Sequence, residues 1–260
     1  MLATKTVIKY GGHAMTHADL AEAFAKDIAV LTRAGIHSIL VHGGGPQITS
    51  LLERLAIPSR FENGLRVTDE KTMEAVEMVL AGQVNKDVVA LLGAHNVLAC
   101  GISGRDGGLL HAVQKDPALG RVGTVKEVST KLLDCLLDGG FVPVVAPIAQ
   151  DSSGRPLNVN ADTAAGAIAG AIHADHFVLI SDVPGVLDAG HKVVATLHRT
   201  DIDDFIREGV ISGGMIPKVD ACLHALEQGA ERALILDGRA ESSLRRFLLE
   251  NEPLGTVILP

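Results

Sequence analysis

Short apolar runs alternate along this chain with longer stretches in which apolar residues recur at helical spacing. The runs Thr6–Tyr10, Ser38–His42, Val97–Ile102, Val142–Ala149, Phe177–Ser181, Arg232–Leu236 and Thr256–Leu259 are short, mostly apolar and rich in Val, Ile and Leu, so they read as strands. Between them, apolar periodicity predicts helices near Ala18–Ala34, Pro46–Leu55, Asp69–Ala94, Thr130–Leu137, Ala161–Ile172, Asp201–Glu208 and Met215–Gln228. The third of these is long and is expected to break at Gly82, because glycine weakens a helix interior. Strand and helix in regular alternation predict a largely parallel sheet covered by helices on both faces. The turn cluster Ser152-Ser153-Gly154-Arg155-Pro156 precedes a second half rich in motifs. One domain of two lobes, hinged around residues 150 to 175, is the expectation.

Composition narrows the class of function. The chain has 260 residues, enough for one large domain, with 47% hydrophobic residues, no Trp and only 3% aromatics. Its core must therefore be built from Ala, Val, Leu and Ile, and 28 glycines suit close strand–helix layers. That composition offers no aromatic platform for stacking bases, and a net charge of −8 gives no basic cover for a polyanion, so nucleic acid is not an expected partner. Cys100, Cys135 and Cys222 are widely spaced and lie in apolar contexts, which suggests buried thiols in a reducing compartment. Charges or glycines interrupt every apolar stretch before it reaches membrane-spanning length, and a strand begins too early for a signal peptide, so the cytoplasm is expected.

The candidate chemistry sits at strand ends. Lys9-Tyr10-Gly11-Gly12 closes the first strand and His42-Gly43-Gly44-Gly45 the second. Glycine lets backbone approach a ligand closely, and a helix start offers unpaired N–H groups to an anion. Two such turns, with the positive charge of Lys9 at one of them, suit phosphate chemistry. There is no G-x-x-x-x-G-K-[ST], and the protein-kinase set of H-R-D and D-F-G is also missing. His42-Gly43-Gly44-Gly45 is also the form of an esterase oxyanion loop, but no serine stands in a G-x-S-x-G elbow. His42 reads as positional, and His173 with His176 lacks the further ligands of a metal site.

Four more segments carry polar groups. Arg66, in Asn63-Gly64-Leu65-Arg66-Val67-Thr68, offers a planar guanidinium suited to a carboxylate, although alone it would pass for a surface residue. Asn158-Val159-Asn160-Ala161-Asp162 packs two amides and a carboxylate at a helix start, where N-capping is an equally good account. Ser181-Asp182-Val183-Pro184-Gly185-Val186 turns sharply after a buried strand, and ligands of open α/β sheets bind beyond the strands' carboxyl ends. In Ile211-Ser212-Gly213-Gly214-Met215-Ile216-Pro217-Lys218, a lysine in the first helical turn opposes the helix dipole unless an anion is present.

Together the segments KYGGHAM, VHGGGPQI, NGLRVT, GISGRDGG, NVNAD, SDVPGV and ISGGMIPKV resemble the amino-acid kinase family, and within it the branch that acts on N-acetylglutamate. The resemblance runs from Lys9 to the last strand. It implies a three-layer αβα sandwich around a mainly parallel eight-stranded sheet, with residues 1–174 binding acetylglutamate and residues 175–260 binding ATP. It implies ATP-dependent phosphorylation of the γ-carboxylate of N-acetyl-L-glutamate, in arginine biosynthesis, with Mg²⁺ arriving with ATP and no metal ligand from protein side chains. By the same resemblance Lys9 and Lys218 stabilise the transferring phosphoryl group and Asp162 organises them. Gly44, Gly45, Arg66 and Asn158 bind acetylglutamate. Gly11, Gly12, Ser181, Asp182, Val183, Gly185, Val186, Val210, Ile211 and Ser212 contact phosphate or nucleotide. A related kinase for another acidic substrate, and a non-catalytic nucleotide-binding regulator on the same fold, are the alternatives.

Assembly is read from two further features. In the family, arginine-inhibited members resemble hexamers linked through an additional N-terminal helix, and only Met1 to Lys5 precede the first strand here. Met73, Val76, Val79 and Leu80 share a helical face that either packs on its own sheet or pairs across a twofold axis. The expectation is a homodimer insensitive to arginine, although the segment from Leu236 to Thr256 looks closer to arginine-regulated members.

Overall fold

Lys5–Tyr10 (β1) lies at the centre of an eight-stranded sheet, hydrogen-bonded in parallel to a strand on each side. The computed structural model describes residues 4–11, 15 and 17–260. After β1 come Ala18–Arg33 (α1), His37–His42 (β2), Gly45–Arg54 (α2), the two-residue strands Phe61–Glu62 (β3) and Leu65–Arg66 (β4), Glu70–Glu77 (α3) and Asn85–Ala94 (α4). Ala99–Ser103 (β5), Leu110–Gln114 (β6), Gly123–Val128 (β7), Lys131–Asp138 (α5), Val142–Ala146 (β8), Ile148–Gln150 (β9) and Pro156–Asn158 (β10) follow. The last third holds Ala161–Ala171 (α6), His176–Ser181 (β11), Thr196–His198 (β12), Arg199–Arg207 (α7), Ile216–Glu227 (α8), Ala233–Asp237 (β13), Ser243–Leu248 (α9) and Thr256–Leu259 (β14).

The central sheet has the order β12-β14-β13-β11-β1-β2-β8-β5, and only the β13–β14 pairing is antiparallel. The sandwich expected from alternation and from the family resemblance is thus present. Successive residues of a strand face opposite sides, and both sides of β1 are apolar. Val7 joins Ile39, Val41, Phe177 and Leu179 against α6 and α8. Ile8 and Tyr10 join Leu40, Val178 and Ile180 against α1 and α4. By the same alternation Lys9 stands on the α6–α8 side, at the carboxyl end of β1.

The close approach of α6 and α8 follows from sequence. Alanine and glycine dominate α6, and a Cβ on Gly166 would lie 2.7 Å from the Ala221 carbonyl oxygen of α8. Backbone atoms cannot yield as a flexible side chain can, so only glycine permits this spacing. Asp162 lies one turn before Gly166, and Lys218 one turn before Ala221. Small residues here bring those two side chains together.

Several elements depart from the sequence reading. Val142–Ala149 is two strands: Pro147, which has no N–H to give a ladder, separates β8 in the central sheet from β9 in a four-stranded sheet of order β10-β9-β6-β7. The helix over 69–94 does not break at Gly82. Met78–Val84 is π-helical and continuous with α3 and α4. Wider winding there accompanies a change of partner, since Met73, Val76, Leu80 and Val84 pack around Ile48 and Leu52, whereas Val88 and Leu92 pack beneath the central sheet. Met73, Val76, Val79 and Leu80 are therefore all buried in the chain's own core. Cys222 is buried as expected, but Cys100 is only partly buried and Cys135 is exposed, since α5 turns its apolar stripe of Leu133 and Leu137 inward and leaves Cys135 outside.

Candidate active site

The carboxyl ends of β1, β2 and β11 meet at the middle of the sheet, where polar groups lie beside two glycine turns. Asp162, the second residue of α6, is 8% exposed there. Its Oδ1 is 3.0 Å from Lys9 Nζ and its Oδ2 is 3.4 Å from Lys218 Nζ. Burial is the largest influence on this carboxyl and works to raise its pKa, but the two ammonium groups and their hydrogen bonds outweigh it, leaving the pKa below the ordinary value. Asp162 is an anion holding two cations, and the cluster carries a net positive charge. The lysine that opposes the α8 dipole has found its anion in Asp162. Cys222, one turn beyond Lys218, is fully buried beside them, and burial raises its thiol pKa well above the ordinary range.

Gly11 makes room for Lys9. A Cβ on Gly11 would stand 2.8 Å from Lys9 Nζ and 3.0 Å from Cε, so any side chain there would displace the amine. Across the strand ends, Gly43 N donates to the Tyr10 carbonyl at 2.8 Å and couples the two glycine turns. Gly44 packs on the π-helical segment, where a Cβ would come within 2.5 Å of Leu80 Cδ2. Gly12 lies outside the described residues.

Beside this cluster a cleft of about 200 Å³ is lined by Gly44, Gly45, Arg66 and Asn158, together with apolar Ile48, Leu65, Leu80 and Val122. The four residues expected to hold an acidic substrate are thus brought together. Arg66 is buried, and burial lowers the pKa of its guanidinium from the ordinary value. The group is held by the Ser59 hydroxyl, by the Gly45 carbonyl at 3.1 Å and by Thr49 Oγ1 at 2.8 Å, with the Phe61 ring centroid 4.6 Å away. Asn158 Nδ2 donates to Thr68 Oγ1 at 3.2 Å, and that hydroxyl donates to the Arg66 carbonyl at 2.7 Å. Asn160, not Asn158 or Asp162, caps α6, its Oδ1 accepting from the N–H groups of Asp162 and Thr163. Capping thus explains one of the three polar residues in this segment and leaves two for the site.

Sequence reasoning passed over Thr49, Ser59 and Phe61, and placed Leu80 only on a packing or dimer face. For Phe61 a signal existed: Asn63-Gly64, both with positive φ, is the dipeptide of a tight hairpin turn and folds Phe61 back onto Arg66. The GISGRDGG segment closes β5 and forms the turn toward β6, with Ser103 N and Oγ both donating to Asp106 and Arg105 paired with Glu77.

The model of the amino acid kinase family matches residues 4–237. The chain belongs to that family. The acetylglutamate kinase of Brucella canis is 47% identical over 267 aligned positions, covering 98% of this chain and 90% of that protein, and the acetylglutamate kinase of Brucella anthropi matches to the same extent. Among solved structures, smu.665 from Streptococcus mutans UA159 superposes with a TM-score of 0.82 at 30% identity over 98% of both chains. N-acetylglutamate synthase from Neisseria gonorrhoeae, complexed with coenzyme A and N-acetyl-glutamate, gives 0.86 at 24% identity over 99% of this chain and 59% of that one, a likeness of fold.

The residues expected to hold nucleotide are more dispersed. Ser181 is buried at the end of β11 and its hydroxyl is 3.5 Å from Asp182 Oδ1. Gly185 has φ 147°, and a Cβ there would meet Thr256 Oγ1 at 2.6 Å. Val186 N donates to that same hydroxyl at 2.8 Å, which fastens the Ser181–Val186 turn to β14. The side chains of Val186 and Ile211 are each 1% exposed and belong to the core, so backbone alone is what they can offer a ligand. Val183 is half-buried in the turn and Ser212 is exposed before α8. Val210 lines a recess of about 310 Å³ with Leu187, Asp188, His191 and Glu208. Among the described residues no group of three or more His, Cys, Asp or Glu side chains is placed to hold a metal ion, and no helix is long and apolar enough to cross a membrane.

Proposed function

We propose that this chain is an acetylglutamate kinase, transferring the γ-phosphoryl group of ATP to the γ-carboxylate of N-acetyl-L-glutamate, the phosphorylation step of arginine biosynthesis. The observation that carries the reading is the Lys9–Asp162–Lys218 cluster beside a cleft that gathers Gly44, Gly45, Arg66 and Asn158. The names of the closely similar relatives support it.

A glutamate-type carboxyl has a reference pKa of about 4.3, so at neutral pH the acceptor is already the nucleophile and needs no general base. The barrier lies in bringing an anion to a triphosphate. Lys9 and Lys218 neutralise charge as it spreads over the phosphoryl oxygens, and Asp162 keeps both amines aimed without cancelling them. Arg66 meets the acceptor's α-carboxylate and Asn158 its amide. The glycine turns bring N–H groups to phosphate without bulk, and the Ser181–Val186 turn with Val210–Ser212 holds the nucleotide. Both Asp162 oxygens are engaged by ammonium groups, so Mg²⁺ would be held by the phosphates of ATP and by water, offsetting β/γ charge.

The reading includes two lobes, residues 1–174 for the acceptor and 175–260 for ATP, in a cytoplasmic homodimer. With Met73, Val76, Val79 and Leu80 buried, the dimer surface would be the outer side of that helix, where Met78 is 63% exposed. A panel of acetylglutamate, glutamate, aspartate and acetylaspartate in an ADP-release assay tests the substrate. Turnover of acetylglutamate no faster than of the others would overturn the reading.

A further inference from the structure

His42 ends β2 beneath the glycine turn, wholly buried on the α4 side of the sheet. Its Nδ1 lies 2.7 Å from the carbonyl oxygen of Gly43. A carbonyl only accepts, so Nδ1 carries the proton and donates. Its Nε2 is 3.2 Å from Asn85 Nδ2, which must donate to it. Asn85 is itself 0% exposed, and the same amide nitrogen reaches the carbonyls of Val144 at 2.8 Å and Ile102 at 3.2 Å. Its Oδ1 accepts from Lys86 Nζ at 2.9 Å, which fixes the amide's orientation, and Lys86 also donates to the Gly101 carbonyl. Three strands, β2, β8 and β5, are thus tied through one asparagine to one histidine.

We propose that His42 is a positioning residue for the acceptor, its Nδ1–H pinning the Gly43 carbonyl so that the Gly44 N–H is aimed into the cleft. A trans peptide is planar, with C=O and N–H on opposite sides. Fixing the Gly43 carbonyl toward the imidazole therefore turns the Gly44 N–H away from it, at a glycine that lines the cleft. Gly43 N is already fixed by the Tyr10 carbonyl, so both peptide planes flanking Gly43 are held. The ring is locked in one neutral tautomer. Burial pushes its pKa down to about 4, the Gly43 carbonyl works the other way, and the Lys86 charge facing it from α4 adds to the lowering. An imidazolium would also set Nε2–H against the Asn85 N–H. The residue thus serves as a fixed donor and takes no part in proton transfer.

The inference rests on the acceptor site proposed above, and its test separates the two. In the ¹⁵N spectrum of the wild-type protein, the His42 ring should show a protonated Nδ1 and a bare Nε2 throughout pH 6 to 8. An imidazolium or an Nε2–H tautomer overturns the inference whatever the substrate. His42→Leu should raise the acetylglutamate KM at least roughly tenfold while the ATP KM and kcat move less than about threefold. His42→Asn keeps a donor near the Nδ1 position and should restore KM to within about threefold of wild type. An unchanged KM in folded His42→Leu, or a KM as high in His42→Asn, overturns the positioning role. If His42→Leu does not fold, His42→Asn decides alone. Wild-type protein that does not turn over acetylglutamate sinks the proposed function, while the tautomer result still stands on its own.

Discussion

Gly11 and Lys9 share one volume: the Cβ that Gly11 lacks would lie 2.8 Å from the Lys9 amine. The glycine of the first turn is thus needed for the lysine's path as well as for its own backbone. Gly11→Ala should displace a flexible side-chain end, which costs the fold little, and move the amine off Asp162. We expect kcat to fall at least roughly tenfold with a stability change under about 1 kcal/mol. Steady-state kinetics and urea unfolding of the variant measure the two effects separately; a wild-type kcat would show that Lys9 tolerates the shift.

Lys9→Ala and Lys218→Ala each remove one of the two charges that meet the phosphoryl group. A loss of at least about a hundredfold in kcat is expected for each, with the fold retained. Circular dichroism confirms folding, and a kcat within tenfold of wild type for either variant takes that lysine out of the mechanism.

Arg66→Ala should chiefly raise the acetylglutamate KM, by at least about tenfold, and leave that for ATP much less changed. Arg66→Lys should not rescue it. One ammonium cannot reach Ser59, Thr49 and the Gly45 carbonyl together and still offer a fork to the substrate. Equal KM increases for both substrates would place Arg66 outside the acceptor site.

Asp162 links the site to acid stability. Its folded pKa lies below the ordinary carboxyl value, so its contribution is full above that ordinary value and is lost as pH falls through the folded one. Lys218→Met removes one of the two charges that offset burial, so the carboxyl pKa rises. Asp162's share of the acid loss of Tm should therefore be smaller than in the wild type and complete at a higher pH, because the interval between its unfolded and folded pKa narrows. Thermal melts from pH 7 to pH 3 decide it, and superimposable Tm profiles would count against coupling between these two side chains.

Gly166→Ala tests how the cluster is spaced. Its Cβ would meet the Ala221 backbone, so α8 must shift, at a cost of about 1–3 kcal/mol. Lys218 moves with α8, and kcat should fall together with Tm. A lower Tm with unchanged kcat would show that Lys218 follows Asp162 across the gap.

The central sheet was legible because its strands are apolar on both faces, as Val7 and Ile8 show on β1. The second sheet was not. Leu110–Gln114 and Gly123–Val128 mix apolar with polar residues such as Gln114, Lys126 and Glu127, and β9 and β10 have three residues each. The strands of the hairpin have two residues each, too few for any periodicity, although Asn63-Gly64 marked the turn. At the site, residue type pointed to Lys9, Arg66 and Lys218 as anion-binding candidates. No spacing rule could bring Asp162 between Lys9 and Lys218, because that meeting depends on α6 and α8 crossing one face of the sheet. Family resemblance supplied it. Val186 and Ile211 keep their side chains in the core, so only their backbone can serve the role that the resemblance implies.

The π-helical stretch Met78–Val84 makes the winding of the backbone itself a determinant of the site. Each residue of an α-helix advances the next by about 100°. Wound as a regular α-helix, the same residues would carry Asn85 about that much further round and away from His42, with no side chain of the cleft altered. The wider winding takes up about one residue more than an α-helix needs for the same rotation, so α3 and α4 keep their facing across it. That winding sets the angle between Leu80, which touches Gly44, and Asn85, which holds His42.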